Sequence, residues 1–358
     1  MVPQLSPHST GRGSRLSEVH AIPRRRPLPR LFVGIINLAA SIQLVWFYVN
    51  RIPPHIQLLA YEQGRERTPF QYRLLMMYPM RWAHRSATIV EYARRLNAMH
   101  GFFPNGVRPE GLLQAPIDLV CVVIAGIVAR RLYRKSSPTA ILLPFLYPLT
   151  LVMIATTYCL LDMHLLRFIY DLPSLALFAL GLEAIYFRRN ALWLAGLFVI
   201  ATINRETSLF LLLFFAIAQC ARDGQFQLRR LYSFATLKVV APLALFWMAW
   251  HEYVVHRYLA NASGALSRIS LNAGILLVPL TWPQLLGTFG YLGPLVWICR
   301  KRMADPTMRA WIWVAPVWVA FMFYYGILIE TRIFGEMIPY FACAAALVCE
   351  ESLLPRRA

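Results

Sequence analysis

Asn204, Arg205 and Glu206 stand in a row between two apolar runs, residues 191–203 and 208–221. An amide, a guanidinium and a carboxylate in such surroundings are costly to bury, and polar groups kept there mark a functional site by default. Three other stretches carry the same residue types. "AYEQGRERTPFQYR" holds Glu62, Glu66 and Arg73; "LLDMHLLRFIYDLP" holds Asp162, His164, Arg167, Tyr170 and Asp171; "LIETRIFGEMIPYF" holds Glu330, Arg332 and Glu336. A carboxylate can act as general base toward a hydroxyl, and arginine offers phosphate a bidentate fork. Taken singly, each acid reads equally well as a solvated loop residue or as half of an ion pair that clips helices together. Four stretches arriving at one level is the stronger signal.

The elements that must position these residues are helices. Of the 358 residues 58% are hydrophobic and 15% charged, and runs near bilayer length recur along the chain, which describes an all-α, polytopic transmembrane bundle. The net charge of +19 does not point to nucleic acid, because the basic residues lie in short clusters between apolar segments, where topology accounts for them. Only three of the 36 basic residues are lysine. The six cysteines fall in or beside apolar segments with no C-x-x-C pair and read as small core residues.

Basic clusters at 24–30, 130–135, 188–189, 222–230, 300–309 and 356–357 mark cytoplasmic helix ends. Ten spans follow: roughly 31–49, 112–129, 139–159, 170–187, 191–203, 207–221, 237–256, 283–299, 310–329 and 336–353, with both termini inside and a bacterial inner membrane as the setting. Residues 1–30 read as a disordered basic cytoplasmic tail, 31–354 as the helical domain and 355–358 as a second short tail; the arginines at 24–26 lack the cleavage site of an export signal. On this threading eleven of the 17 acids face outward, including every candidate named above. The arms flanking Asn204–Glu206 are 13 to 15 residues long, which as helix spans about 20 Å against a hydrocarbon core of roughly 30 Å. The expectation is a re-entrant hairpin whose tip lines a cavity open to the outside. The rival is a single tilted helix over 191–221, which would invert everything downstream.

The segment 50–112 joins the first two spans. Phe70, Leu74, Leu75, Tyr78 and Trp82 recur at helical spacing opposite Arg73, Arg81 and Arg85, and 89–99 repeats the pattern, so amphipathic helices lying in the interface are expected. Sharper motifs fail. The histidines of "HEYVVH" at 251–256 are five apart, about 140° around a helix, and cannot readily share one zinc ion. No Walker loop, G-x-G-x-x-G or G-x-S-x-G occurs. Asn261-Ala262-Ser263 fits an N-glycosylation acceptor, a tripeptide common by chance. Aromatic residues at helix ends, such as Trp46, Phe47, Tyr48, Tyr324 and Tyr325, read as interface anchors.

Multiple helices, a long first outer loop bearing acids and amphipathic helices, and a short hairpin with "NRET" together resemble the C-type superfamily of integral membrane glycosyltransferases. The resemblance covers residues 31–354 in layout and is specific only at short stretches. It implies transfer from a polyprenyl-phosphate sugar at the outer face, with the catalytic acid in the first outer loop, where Glu62 and then Glu66 match best. The loop lacks an Asp-x-Asp and the chain has no soluble carboxyl-terminal domain, both departures from the pattern. Glu62 is then the base or a metal ligand, with a divalent cation as the cofactor such chemistry would call on. Arg73, Arg205 and Arg332 contact phosphate. Asp171 and Glu206 orient them or bind sugar hydroxyls, as do Asn204, Glu330 and Glu336 on the substrate side. Membrane lipid and a lipid-linked sugar phosphate are the expected partners, nucleic acid is not, and no oligomeric state is read. A transporter or flippase for a lipid-linked or anionic solute fits the same broken hairpin, and a non-catalytic envelope-polysaccharide assembly subunit would need none of the outer acids.

Overall fold

The computed structural model describes residues 27–99, 106–160, 166–222, 225–263 and 267–353. Most of the tail expected over 1–30, the 355–358 tail, and the candidates Asp162 and His164 lie outside the described residues. The chain falls into two units, one ending at Ile36 and one starting at Asn37; the second holds the candidate site and every residue that touches it.

The described residues form helices and no strand. In chain order these are α1 (Pro27–Arg51), α2 (Leu58–Glu62), α3 (Met77–Arg85), α4 (Ala87–Ala98), α5 (Pro109–Ser136), α6 (Leu146–Ala155), α7 (Asp171–Tyr186), α8 (Ala191–Asn204), α9 (Leu209–Cys220), α10 (Phe234–Arg257), α11 (Ile269–Leu277), α12 (Trp282–Gly287), α13 (Leu292–Ile298), α14 (Pro306–Trp311), α15 (Val314–Tyr325) and α16 (Ile338–Leu353). Five are long and apolar enough to cross a membrane, counting the turns that extend them: 31–51, 109–136, 143–160, 234–257 and 331–353. A sixth is available if the pair α11 and α12, bent by 93°, is one span.

The difference from ten uniform spans has local causes. The expected 283–299 span is divided between α12 and α13 at Phe289–Tyr291, where φ turns positive. The pair α11 and α12, which begins in the loop expected over 257–282, is interrupted by Pro279 and Pro283. Its freed carbonyls are satisfied from within: the Thr281 hydroxyl donates to Ile275 O at 2.6 Å and to Val278 O at 2.7 Å, and the Trp282 indole donates to Leu276 O at 2.9 Å. The expected 310–329 span is divided between α14 and α15. The arms α8 and α9 remain short apolar helices.

The core is built on α5, α7 and α16. Nearly every residue of α7 from Asp171 to Ile185 is buried, and the apolar window of the α16 segment is 94% buried, so neither offers a lipid-facing side. Close approach is made by small residues. A Cβ added at Gly126 of α5 would lie 2.5 Å from the Tyr147 ring of α6. Large aromatics fill the space between α7, α9, α14, α15 and α16, where Phe210 stacks on Trp318 at 4.1 Å and Phe214 meets Trp311 at 5.2 Å. Both buried indoles find acceptors, Trp311 at Phe214 O and Trp318 at Ile333 O. All six cysteines are free, and four of them are buried.

Between α8 and α9 the chain reverses. Asn190 caps α8 by accepting from Leu192 N at 3.0 Å. The helix stops at Asn204, Arg205 is extended (φ −162°, ψ 141°), and a tight turn over Glu206–Ser208 leads into α9. Arg205 lies beside Asp171 at the start of α7, while farther along α9 Phe214 meets Phe178 with ring centroids 5.7 Å apart. A Cβ at Gly181 would come 2.7 Å from Leu211 Cδ2. A continuous helix over 191–221 would carry Leu211 and Phe214 away from α7, about 1.5 Å per residue past its end. The chain therefore forms a hairpin, with α9 running back alongside α7.

In the segment between α1 and α5, helix α3 starts at Met77, later than the apolar spacing from Phe70 suggests, and buries Met77, Met80 and Ala83. Tyr78 (62%) and Trp82 (58%) are exposed, and Arg81 lies over the Tyr78 ring, so these aromatics share the outer face with the arginines instead of standing opposite them. On α4, Glu91 pairs with Arg95 at 2.8 Å and also with Arg94, and these partners hold its carboxyl below the ordinary range.

Candidate functional site: a buried arginine–carboxylate network at the hairpin tip

Three of the four polar stretches meet closely, and the fourth sends one residue. Asp171 sits in the first turn of α7, where the helix dipole favours an anion. Its Oδ1 lies 3.4 Å from Arg205 Nη1 and 3.8 Å from Arg332 Nη1. Arg205 Nη1 is also 3.3 Å from Glu336 Oε1, which accepts the hydroxyls of Ser174 and Thr207, each at 2.7 Å. Asn204 completes the tip by donating to Tyr170 O at 3.1 Å. The side chains of Asp171, Arg205 and Glu336 are all 3% exposed or less. Buried charge on this scale needs near-complete pairing and hydrogen bonding. The helix terminus, the two hydroxyls and the opposed charges supply part of it, while Asp171 Oδ2, Glu336 Oε2, Arg205 Nε and Asn204 Oδ1 have no hydrogen-bond partner among the described residues.

Two further pairs form a rim. Arg73 Nε is 3.4 Å from Glu206 Oε2, and Arg332 Nη2 pairs with Glu330; the carboxylates are 24% and 22% exposed. Both guanidiniums lie over adjacent aromatic rings, Arg73 at 4.4 Å from the Tyr170 centroid and Arg332 at 3.6 Å from that of Phe168. These rings are 5.4 Å apart. The Tyr61 hydroxyl donates to Arg73 O; burial pushes this phenol well above its ordinary value, keeping it a donor. Counting charges, Arg73, Arg205 and Arg332 face Asp171, Glu206, Glu330 and Glu336. Three cations thus face four carboxylates, leaving one carboxylate in excess.

Glu62 and Glu66 are buried elsewhere in the same segment. Glu62 Oε1 lies 2.5 Å from His84 Nδ1, and His84 Nε2 lies 2.7 Å from Glu110 Oε2. The imidazole thus links the two carboxylates through its two ring nitrogens. This clasp joins α2, α3 and α5. Glu66 Oε2 accepts from Gln57 N at 2.9 Å, and Glu66 O accepts from Asn261 Nδ2 at 2.7 Å. Asn261 Nδ2 also reaches Gly64 O at 3.0 Å, so the would-be glycosylation amide serves as a clamp. A cavity of about 630 Å³ lined by Gln57, Gln63, Arg65, Arg108 and Glu110, among others, lies on the clasp side and includes no member of the Arg205 network.

Among the described residues no group of three or more His, Cys, Asp or Glu is placed to hold a metal ion. Glu62 and Glu110 instead stand at hydrogen-bond spacing from the imidazole of His84.

Sequence reasoning passed over His84, Glu110, Ser174 and Thr207, whose polar side chains are commonplace in helices and became partners only through tertiary contacts. It also passed over Asp118, which is fully buried in α5 with neither carboxylate oxygen hydrogen-bonded among the described residues. Arg167 lies in the same region: its Nε donates to Ile52 O at 2.8 Å, its Nη1 reaches Gln114, and its backbone pairs with Pro53 and His55. Comparison with known proteins finds no matching family model, no matching curated protein and no matching solved structure.

Proposed function

We propose that the protein is a membrane glycosyltransferase that moves a sugar from a polyprenyl-phosphate donor to an acceptor hydroxyl at the outer face of a bacterial inner membrane. The observation that carries this reading is the rim. Two guanidiniums, Arg73 and Arg332, sit side by side over the Tyr170 and Phe168 rings, each held by one partly exposed carboxylate. A phosphate entering there replaces Glu206 and Glu330 as their counter-ion, and the displaced carboxylate becomes available as a base. Arg205, Asp171 and Glu336 form the frame beneath and hold the tip at fixed height. In this reading the helical segments make ten passes counting both hairpin arms, both termini are cytoplasmic, and α3 lies in the interface with Tyr78 and Trp82 outward beside Arg81 and Arg85.

The test is product formation by purified protein given a labelled polyprenyl-phosphate sugar and an acceptor mixture. Arg73→Gln is expected to lower transfer roughly a hundredfold; unchanged turnover sinks the assignment. A carrier for a lipid-linked anion is the second reading, favoured by the hairpin together with the 93° bend between α11 and α12. It requires vectorial movement of the lipid in proteoliposomes without product.

A further inference from the structure

Five residues close a ring of contacts at one side of the rim. Arg73 meets Glu206 at 3.4 Å, and Glu206 O accepts the Trp247 indole N–H at 2.9 Å. Trp247 lies parallel to His251 within 1°, with centroids 5.2 Å apart, and His251 meets the edge of Tyr72 at 6.3 Å. Tyr72 precedes Arg73 in the chain, which closes the circuit. Three separate elements contribute: the turn before α3, the hairpin tip and α10. All five residues are partly exposed.

Three atoms of this ring are buried without a hydrogen-bond partner among the described residues: Arg73 Nη1, Glu206 Oε1 and His251 Nδ1. They comprise a donor, an acceptor and a nitrogen able to do either. Leaving such groups unpaired is costly, and native proteins seldom do so without a reason. A lipid tail would cover the rings and leave all three atoms unpaired. A bare anion would use Arg73, meet repulsion at Glu206 and ignore the rings. A pyranose ring matches this set, with C–H groups against an outer face of the Trp247–His251 stack and hydroxyls that both donate and accept.

We propose that Tyr72, Arg73, Glu206, Trp247 and His251 form a pyranose subsite, with Trp247 and His251 as the residues that recognise the sugar. This deepens the glycosyl-transfer reading and rests on it for the identity of the whole donor. Binding of the sugar ring itself is testable without that donor.

The experiment uses the full chain purified in detergent, with methyl glucoside, methyl galactoside and methyl mannoside as probes in saturation-transfer NMR. At least one glycoside is expected to show transfer, strongest at its ring C–H protons. Trp247→Leu and His251→Ala are each expected to weaken it roughly tenfold. Trp247→Phe, which keeps a ring and loses the indole N–H, is expected to fall between, and the variants are compared only as monodisperse protein. Absence of transfer from the wild type to any of the three glycosides overturns the subsite, as does equal transfer from wild type, Trp247→Leu and His251→Ala. In parallel, labelled polyprenyl phosphate without sugar is tested for binding. Its failure to bind refutes the donor reading, while the glycoside arm still decides the subsite.

Discussion

The guanidinium of Arg205 lies 3.4 Å from the carboxylate of Asp171 with both side chains closed to solvent, tying the hairpin tip to the first turn of α7. Deleting the cation would leave Asp171 and Glu336 facing each other in the interior. Arg205→Met is expected to cost about 3–5 kcal/mol. Thermal unfolding in detergent checks this, and adding Asp171→Asn and Glu336→Gln should recover much of the loss. No recovery would mean that the carboxylates are not the source of the instability.

Gly335 lies against the Tyr158 hydroxyl, and a methyl group at position 335 would overlap it. Gly335→Ala should destabilise by about 1–3 kcal/mol through overpacking. A Cβ there would also overlap Tyr158 Cζ, so Tyr158→Phe should give little relief, whereas Gly335→Ala with Tyr158→Leu, which removes the far end of the ring, should regain part of it. Equal melting of Gly335→Ala and wild type would contradict this packing.

His84 is the only member of the clasp able to bridge both acids. With His84→Ala, Glu62 and Glu110, each at most 6% exposed in its side chain, lose their shared donor. The expected cost is about 1–3 kcal/mol. Hydrogen exchange should show faster opening of α2 and α3, while the buried face of α16 stays protected. Uniform loss of protection across the chain would argue against a local clasp.

Asn261 holds two backbone carbonyls through its amide nitrogen, the atom a glycan would need. Expression in a glycosylating host should therefore leave Asn261 unmodified, as read by intact mass. A glycan attached at Asn261 in folded protein would show that the clamp opens.

Helices were legible in the sequence because apolar runs of bilayer length announce themselves; α1 and α10 fall within a few residues of expectation, while α5 runs about two turns past its expected end at 129, through the basic cluster to Ser136. The reversal at Arg205 was legible too, from three consecutive polar residues and the shortness of both arms. What could not be read was how far each run would stay straight: the α11–α12 bend is stabilised by Thr281 and Trp282, side chains that look unremarkable in a list. Among the candidate residues, Asp171, Asn204, Arg205, Arg332 and Glu336 meet because their spacing put them at helix ends. Glu62 belongs with His84 and Glu110 instead, since a five-residue helix such as α2 gives no periodicity from which to tell which way its carboxylate faces.

The last helix carries a carboxylate near each end. Glu336, just before α16, is gripped by Ser174, Thr207 and Arg205, while Glu350 accepts from Tyr133 at 2.9 Å, from Ser137 at 2.6 and 2.8 Å, and from Thr139. Fourteen residues, about 21 Å of helix, separate these anchors. Sliding α16 along its axis would break both grips together. α16 is thereby tied at one end to the hairpin and α7 and at the other to the close of α5.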